Sequence, residues 1–197
     1  MNPLLSIKGT IISGFVLTAV LTFLHKGAVM PISMADYIRW FHYLSGITWI
    51  GLLYYFNFVQ VPAMAKATAD KEPGPAAIGK YVAPIALLWF RWGAVVTWVT
   101  GAAYLHGSGI LHAAFTLQGS AAGIGIGSWL GTIMLFNVWV LIWPNQQKVL
   151  GLGKYKDSPA SAEEVASGKK VALLASRTNT LLSIPMLLFM GYSHNGL

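Results

Sequence analysis

Histidine is the residue type in this sequence with the clearest capacity for chemistry. Cysteine is absent, which excludes disulfides, thiolate-held zinc, iron–sulfur clusters and the C-x-x-C-H attachment of a c-type haem. Neutral imidazole is a common ligand for haem iron and also suits copper and zinc. Residue type therefore predicts redox or metal chemistry, with candidate metal ligands at His25, His42, His106 and His194.

The elements that position these histidines are predicted to be membrane helices. Apolar residues make up 55% of the 197 residues and charged residues only 10%, against roughly 25% charged in soluble globular chains. We therefore expect an all-α integral membrane protein, a single domain formed by a bundle of about five transmembrane helices in a lipid bilayer.

Five apolar runs approach the roughly 20 residues that cross a bilayer. Pro84 lies near the start of the third run, and Pro62 and Pro144 are expected to close the second and fourth. Glycines spaced four apart at Gly123, Gly127 and Gly131 predict a smooth ridge for helix packing. The predicted spans lie near residues 9–24, 40–61, 82–105, 122–143 and 171–192.

The basic residues indicate topology. A net charge of +7 could suggest nucleic acid, but the lysines and arginines lie in short connectors and form no single stripe, so no nucleic-acid partner is predicted. Most of them fall on one side of the predicted membrane, with only Lys26 and Arg39 on the other. The positive-inside rule then places the N-terminus inside and the C-terminus outside, in the inner membrane if the source is a bacterium.

With this topology the histidines all fall at the outer face. His42 lies roughly one to two turns into the second helix, and His106 ends its antiparallel neighbour at a similar depth. Facing helices of this kind hold b-type haem. Arg39, one turn from His42 on the same face, could pair with a haem propionate. One alternative is a copper site among the outer histidines. The other is that these histidines bind nothing and simply lie at the membrane interface, where histidine is tolerated.

A second group lies in the opposite half of the predicted membrane. Arg91 and Arg177 are each about two turns inside the third and fifth helices, and Asn137 and Asn179 reach similar depths. Intramembrane arginines without carboxylate partners either extend to the interface or meet an anion. We therefore treat these four residues as candidate catalytic residues at an anion or quinone site.

Three stretches of the sequence form an ordered set of motifs, one in the second run and two in later runs. The stretches are Ile38-Arg39-Trp40-Phe41-His42 with Gly46, Ile47, Trp49, Ile50, Gly51, Tyr55 and Phe56; Asn137-Val138-Trp139 with Pro144-Asn145-Gln146-Gln147; and Ser176-Arg177-Thr178-Asn179-Thr180 with Ser183, Pro185, Leu188, Phe189, Met190 and His194. Together they resemble the membrane domain of bacterial cytochrome-c-linked urate oxidases, the urate oxidase N-terminal family, and the first stretch resembles the second-helix motif of that family.

The resemblance implies a membrane oxidase that takes electrons from a purine and passes them to a C-terminal periplasmic cytochrome c. Since the chain has no cysteine, we expect a short form without that cytochrome domain, with a separate cytochrome c as partner. A more distant likeness to membrane protoporphyrinogen oxidases implies haem on a helix-borne histidine placed like His42. The positions that match the urate oxidase motifs are Arg39, His42, Trp49, Asn137, Asn145, Arg177, Asn179 and His194.

The leading hypothesis is a membrane-embedded haem-b redox protein, an oxidoreductase or electron-transfer subunit. His42 would be one axial ligand, with His106, His25 or His194 as the other and Arg39 and Trp49 nearby. The alternatives are a non-catalytic membrane subunit of a larger respiratory or oxygenase complex, and a small anion transporter.

Overall fold

Long apolar segments with few charges make this chain almost entirely helical. The structure, a computed structural model, describes residues 2–25 and 32–192, and the side chains of His25 and Tyr192 are not among those it describes. Helix accounts for 87% of it, and the described ranges contain no strand. Five helices in these ranges are long and apolar enough to cross a membrane. The predicted all-α class is confirmed, and the five helices suggest a multi-pass membrane protein.

The described ranges contain five long helices and one short one. Short 3-10 turns flank several of them, for example at Gly119–Ala121. The helices are α1 (Ile7–His25), α2 (Met34–Asp70), α3 (Ile78–Gly107), the short α4 (Leu111–Phe115), α5 (residues 122–150) and α6 (Ala162–Tyr192).

Pro62 and Pro144 lie inside long helices and do not end them. The expectation that Pro62 and Pro144 close their runs is wrong, because α2 continues to Asp70 and α5 to residue 150. Proline lacks an N–H, and its ring clashes with the carbonyl four residues earlier. A π-helical turn relieves both problems, and one such turn ends two residues before each of Pro62, Pro84 and Pro144. The three turns are Phe56–Gln60, Ile78–Val82 and Asn137–Ile142.

Residues 1–37 form one compact unit, and residues 38–197 form a second. In the first unit, α1 begins after Ser6, whose hydroxyl oxygen accepts a hydrogen bond of 3.0 Å from the amide of Gly9. This is the arrangement of a helix N-cap. Between Lys8 and His25 the helix carries no charged residue, so every side of α1 is suited to lipid or to an apolar neighbour.

The core of the second unit is formed by α2, α3, α5 and α6. Buried residues recur every three or four positions along α6, at Ala172, Ala175, Asn179, Ser183 and Met186, which gives the helix one continuous inner face. That face packs along α5. Small residues also allow α2 and α3 to approach: a Cβ on Gly93 would lie 3.4 Å from the backbone nitrogen of Trp49.

Candidate cofactor site

The imidazole of His42 is held by the backbone of the neighbouring helix. Its Nδ1 lies 2.8 Å from the carbonyl oxygen of Thr97 on α3. A carbonyl can only accept, so Nδ1 carries the proton and donates it in this hydrogen bond. The lone pair of Nε2 is therefore available to a metal or to a donor. Histidines that ligate metals are commonly oriented in this way, through a hydrogen bond from the other ring nitrogen.

Gly101, one turn after Thr97, provides the space for that ring. A Cβ at this position would lie 3.0 Å from Cε1 and 3.2 Å from Nδ1 of His42. These distances are shorter than ordinary van der Waals contact, so any larger residue would push against the ring. The absence of a side chain at Gly101 therefore helps to set where His42 sits.

His42 lines a cavity of about 840 Å³ within the second unit. Its volume falls in the range of roughly 300–1,000 Å³ that small-molecule and cofactor sites occupy. The walls come from α2, α3, α5 and α6, with Phe115 of α4 contributing as well, and they are largely apolar. Each of the four long helices contributes at least one glycine to the cavity wall, where no side chain occupies the space. These are Gly46, Gly51, Gly101, Gly131 and Gly191.

Lining residues of the cavity on α2 and α6 reach the surface of the unit. Ile47 and Leu187 line the cavity and are 71% and 47% exposed. Trp49 lines the same cavity but is almost fully buried, and its indole Nε1 has no hydrogen-bond partner among the described residues. A buried donor without an acceptor costs free energy, so a polar group of a bound molecule could satisfy this indole.

A second cavity of about 350 Å³ adjoins the first and also has His42 in its wall. Arg39 lines this second cavity and is half-buried. The one-turn spacing thus brings Arg39 and His42 to the same space, as the sequence predicts. A guanidinium beside the histidine gives this end of the site a group suited to carboxylates.

The short helix α4 lies against one end of the cavity. Its last residue, Phe115, accepts a hydrogen bond of 3.0 Å at its carbonyl from the indole Nε1 of Trp129, and the two rings pack edge to face. Gly125 lies directly against the carbonyl oxygen of Ala114. Packing on α5 therefore fixes α4, a helix that no pattern in the sequence predicts.

The other histidines whose side chains the structure describes do not line the cavities with His42. His106 lies in the last turn of α3 and His112 on α4; both are exposed, and neither lines the two cavities. The side chain of His25 and the whole of His194 lie outside the described residues. Among the residues described, no group of three or more His, Asp or Glu side chains could hold a metal.

The predicted second group divides into two separate contacts. The guanidinium carbon of Arg91 lies 3.7 Å from the ring centre of Trp143, a cation–π contact, whereas Arg177 is exposed. Asn137 donates to the side-chain oxygen of Asn179 at 2.8 Å, and Asn179 donates to the carbonyl oxygen of Met134 at 3.0 Å. None of the four predicted catalytic residues lines either cavity.

Several residues of the site have no strong signal in the sequence. Thr97 acts through its backbone carbonyl, which any residue could supply. Met186 and Met190 line the main cavity from α6, and a methionine in an apolar helix is usually read as core. Gly101 stands beside two alanines, and that run of small residues is the one local hint of a close approach.

A comparison with protein families matches residues 109–197 to the urate oxidase N-terminal family. Residues 109–197 are therefore similar to that family. The resemblance found from the sequence motifs is thereby confirmed, and no cytochrome domain is evident in the 197 residues. Comparisons with curated proteins and with solved structures found no match.

The part of the chain that matches the urate oxidase N-terminal family includes α4, α5 and α6. Two of the three motif stretches, those beginning at Asn137 and Ser176, fall inside it. The motif around His42 precedes it. The walls of the cavity formed by α5 and α6 therefore lie in the matched part of the chain, and His42 lies in the segment before it.

Proposed function

We propose that this chain is a membrane-embedded redox protein that holds b-type haem at His42 and passes electrons toward a cytochrome c. The observation that carries the proposal is the imidazole of His42, fixed through Nδ1 by the Thr97 carbonyl at the wall of an apolar cavity of about 840 Å³. Its available Nε2 is the donor that haem iron takes from histidine.

The residues present fit such a group on three further grounds. Gly101 leaves the space that the imidazole needs, and a Cβ there would crowd it. The apolar walls suit the face of a macrocycle, and the glycines among them leave room for a flat molecule. Arg39 lines the adjoining cavity, where its guanidinium could bind carboxylates of the propionate type.

The chain's own residues would bind, orient and shield the cofactor. His42 supplies the nitrogen, Thr97 fixes the ring orientation, and Trp49 offers a buried indole N–H. Bound haem supplies one-electron chemistry, and the polarity of its surroundings tunes its potential. Largely apolar walls favour the less charged oxidation state, because charge is poorly solvated there.

The electron donor is proposed from the family name alone. The family is named after urate oxidase, and urate is a purine, so a purine is the proposed electron donor. A quinone from the bilayer is the alternative donor. The Arg91, Arg177, Asn137 and Asn179 group stays a prediction for where such a molecule binds. A cytochrome c outside the membrane is the proposed acceptor, in keeping with the topology predicted from charge.

The test is the visible absorption spectrum of the protein purified in detergent from haem-replete cells. We expect a Soret band that shifts on reduction with dithionite, together with a pyridine haemochrome of the b type. His42→Ala should lose most of the bound haem. His112→Ala is the matched control, because His112 is exposed and lines neither cavity, and it should keep the wild-type haem content.

Two results would overturn the proposal. Purified wild-type protein without a Soret band, from cells that load haem into another b-type cytochrome, would leave the membrane-subunit or transporter alternatives. Equal haem content in His42→Ala and His112→Ala would move the haem away from this cavity. If haem is present, mixing the reduced protein with a soluble ferric cytochrome c tests the acceptor by stopped-flow absorbance.

A further inference from the structure

The two cavities share a wall that contains three side chains able to ligate haem iron. Six residues line both spaces, and among them only His42, Met190 and Tyr43 carry atoms that serve as axial ligands in haem proteins. The shared residues are His42, Tyr43, Gly101, Leu105, Ser128 and Met190. His42 comes from α2 and Met190 from the far end of α6, so the ligand pair would join helices that are distant in the chain.

Close packing on α5 holds Met190. A Cβ on Gly127 would lie 3.3 Å from Cγ, Cε and the backbone nitrogen of Met190. The glycine therefore leaves the space in which this methionine lies, as Gly101 does for His42. Two glycines on different helices thus open space beside two of the potential iron ligands. Within the predicted glycine ridge of α5, Gly127 thus leaves space for one particular side chain, that of Met190.

Other ligands on the described residues fit less well. His106 is exposed and lines neither cavity. Tyr43 is 53% exposed, and it would have to ionise to act as a phenolate ligand. Met186 lines the main cavity but not the second one. A thioether is neutral and polarisable, so it can ligate iron in apolar surroundings without burying a charge.

We infer that Met190, and not a second histidine, is the other axial ligand of the haem held by His42. This inference rests on the proposed function, since it names the ligand pair of the same site. His/Met ligation raises the potential of a haem relative to two histidines. The pair would thus stabilise the reduced state, so that the oxidised haem would accept electrons readily.

The first measurement needs no substitution. The ferric wild-type protein should show the weak far-red charge-transfer band of methionine-ligated haem, with the matching near-infrared magnetic circular dichroism. Met190→Leu, which conserves volume, should lose that band and become high spin while keeping the Soret band. Met186→Leu tests the neighbouring thioether and should keep the far-red band. Met190→His should lower the midpoint potential.

The outcomes separate this inference from the proposed function. Wild-type protein without haem overturns the function proposal itself. Wild-type protein with haem but with a bis-histidine spectrum overturns Met190 as ligand and leaves His42 in place. A far-red band lost in Met186→Leu and kept in Met190→Leu assigns the thioether to the neighbouring methionine and equally overturns the inference, as does a midpoint potential that does not fall in Met190→His.

Discussion

At the scale of single residues, the position of His42 depends on what surrounds the ring more than on the histidine itself. An imidazole on an apolar helix can turn to lipid, to a neighbouring helix or to a ligand. Here the carbonyl oxygen of Thr97 fixes Nδ1 at 2.8 Å, and Gly101 leaves the ring its space. Both partners lie on α3, so the packing of α2 against α3 decides which ring nitrogen is available for a metal.

The glycine beside the ring provides a test at this scale. Gly101→Ala would place a Cβ 3.0 Å from Cε1 of His42, so the ring should rotate and lose its contact with Thr97. Loss of such an orienting contact typically weakens metal binding about 10–100-fold. We expect a similar fall in haem affinity, measured by titrating the apoprotein with hemin and following the Soret band.

A glycine outside both cavities is the control for this substitution. A Cβ on Gly107, at the end of the same helix, would meet nothing within 4 Å, and Gly107 lines neither cavity. Gly107→Ala should therefore keep the wild-type affinity for haem. Equal affinities of the Gly101→Ala and Gly107→Ala proteins would show that crowding of His42 does not govern binding.

Asn137 and Asn179 form the other well-defined polar contact at this scale. Both are buried, and they bond to each other at 2.8 Å while Asn179 also bonds to the carbonyl of Met134. Hydrogen bonds between membrane helices average about 0.6 kcal/mol and reach about 1.7 kcal/mol in measured cases. The pair is therefore expected to stabilise the contact between α5 and α6, whatever else it does.

A double-mutant cycle measures this contact. Asn137→Leu, Asn179→Leu and the double variant should show a coupling of about 0.6–1.7 kcal/mol in the free energy of unfolding, measured by SDS titration in mixed micelles. The matched pair Asn137→Leu with Thr68→Leu should be additive, because Thr68 lies in an exposed part of α2. Additivity in both pairs would mean that the asparagine contact contributes nothing to stability.

At the scale of elements, prolines and glycines shape this bundle in opposite ways. Prolines at positions 62, 84 and 144 each follow a π-helical turn, and Asn137 begins one of these turns. Such turns often mark functional sites. Glycines instead allow close approach, at Gly93 for α2 and α3, and at Gly125 for α4 and α5.

The contact at Gly125 tests whether α4 is held by packing. A Cβ there would collide with the carbonyl oxygen of Ala114 and lie 2.8 Å from Cδ2 of Leu117. Because both belong to α4 or the turn after it, Gly125→Ala should displace that helix at a cost of about 1–3 kcal/mol. Thermal unfolding and protease cleavage near residues 108–118 would report the change.

Gly131 offers the comparison on the same helix. A Cβ on Gly131 would meet nothing within 4 Å, so Gly131→Ala should leave thermal unfolding and protease cleavage of the α4 region unchanged. If Gly125→Ala behaved like Gly131→Ala, α4 would be held by the Trp129 contacts alone.

At the scale of the whole molecule, five long apolar helices in the described ranges make the chain a candidate multi-pass membrane protein. The segment at residues 108–121 connects α3 to α5, and the segment at residues 151–161 connects α5 to α6. The two segments therefore lie at opposite ends of α5. Charge counting places the lysine-rich segment inside and the other outside. This orientation stays a prediction.

The absence of native cysteine makes the orientation simple to measure. Single cysteines at two exposed positions, Ser120→Cys and Ser158→Cys, can be labelled with a membrane-impermeant maleimide. In spheroplasts we expect labelling at position 120 before lysis and at position 158 only after lysis. Labelling of both from the same side would contradict the assigned topology, and labelling in the reverse order would invert it.

The sequence by itself determined the class of molecule. Low charge, five apolar runs and the lack of cysteine were enough to predict a helical membrane protein and to exclude thiolate-based sites, because these properties depend on composition and segment length. The motifs also indicated the family that residues 109–197 match. The one-turn spacing predicted that Arg39 and His42 share a face, and both line one cavity.

Only the tertiary structure decided the surroundings of those residues. A backbone carbonyl such as that of Thr97 has no signature in sequence, and depth in a membrane does not say which helix a side chain faces. His106 has a depth similar to that of His42 in the topology inferred from sequence, yet it lies outside both cavities, while Met190 lies within them. Helix rotation and close packing at glycines set that difference, because they depend on all the contacts of the bundle at once.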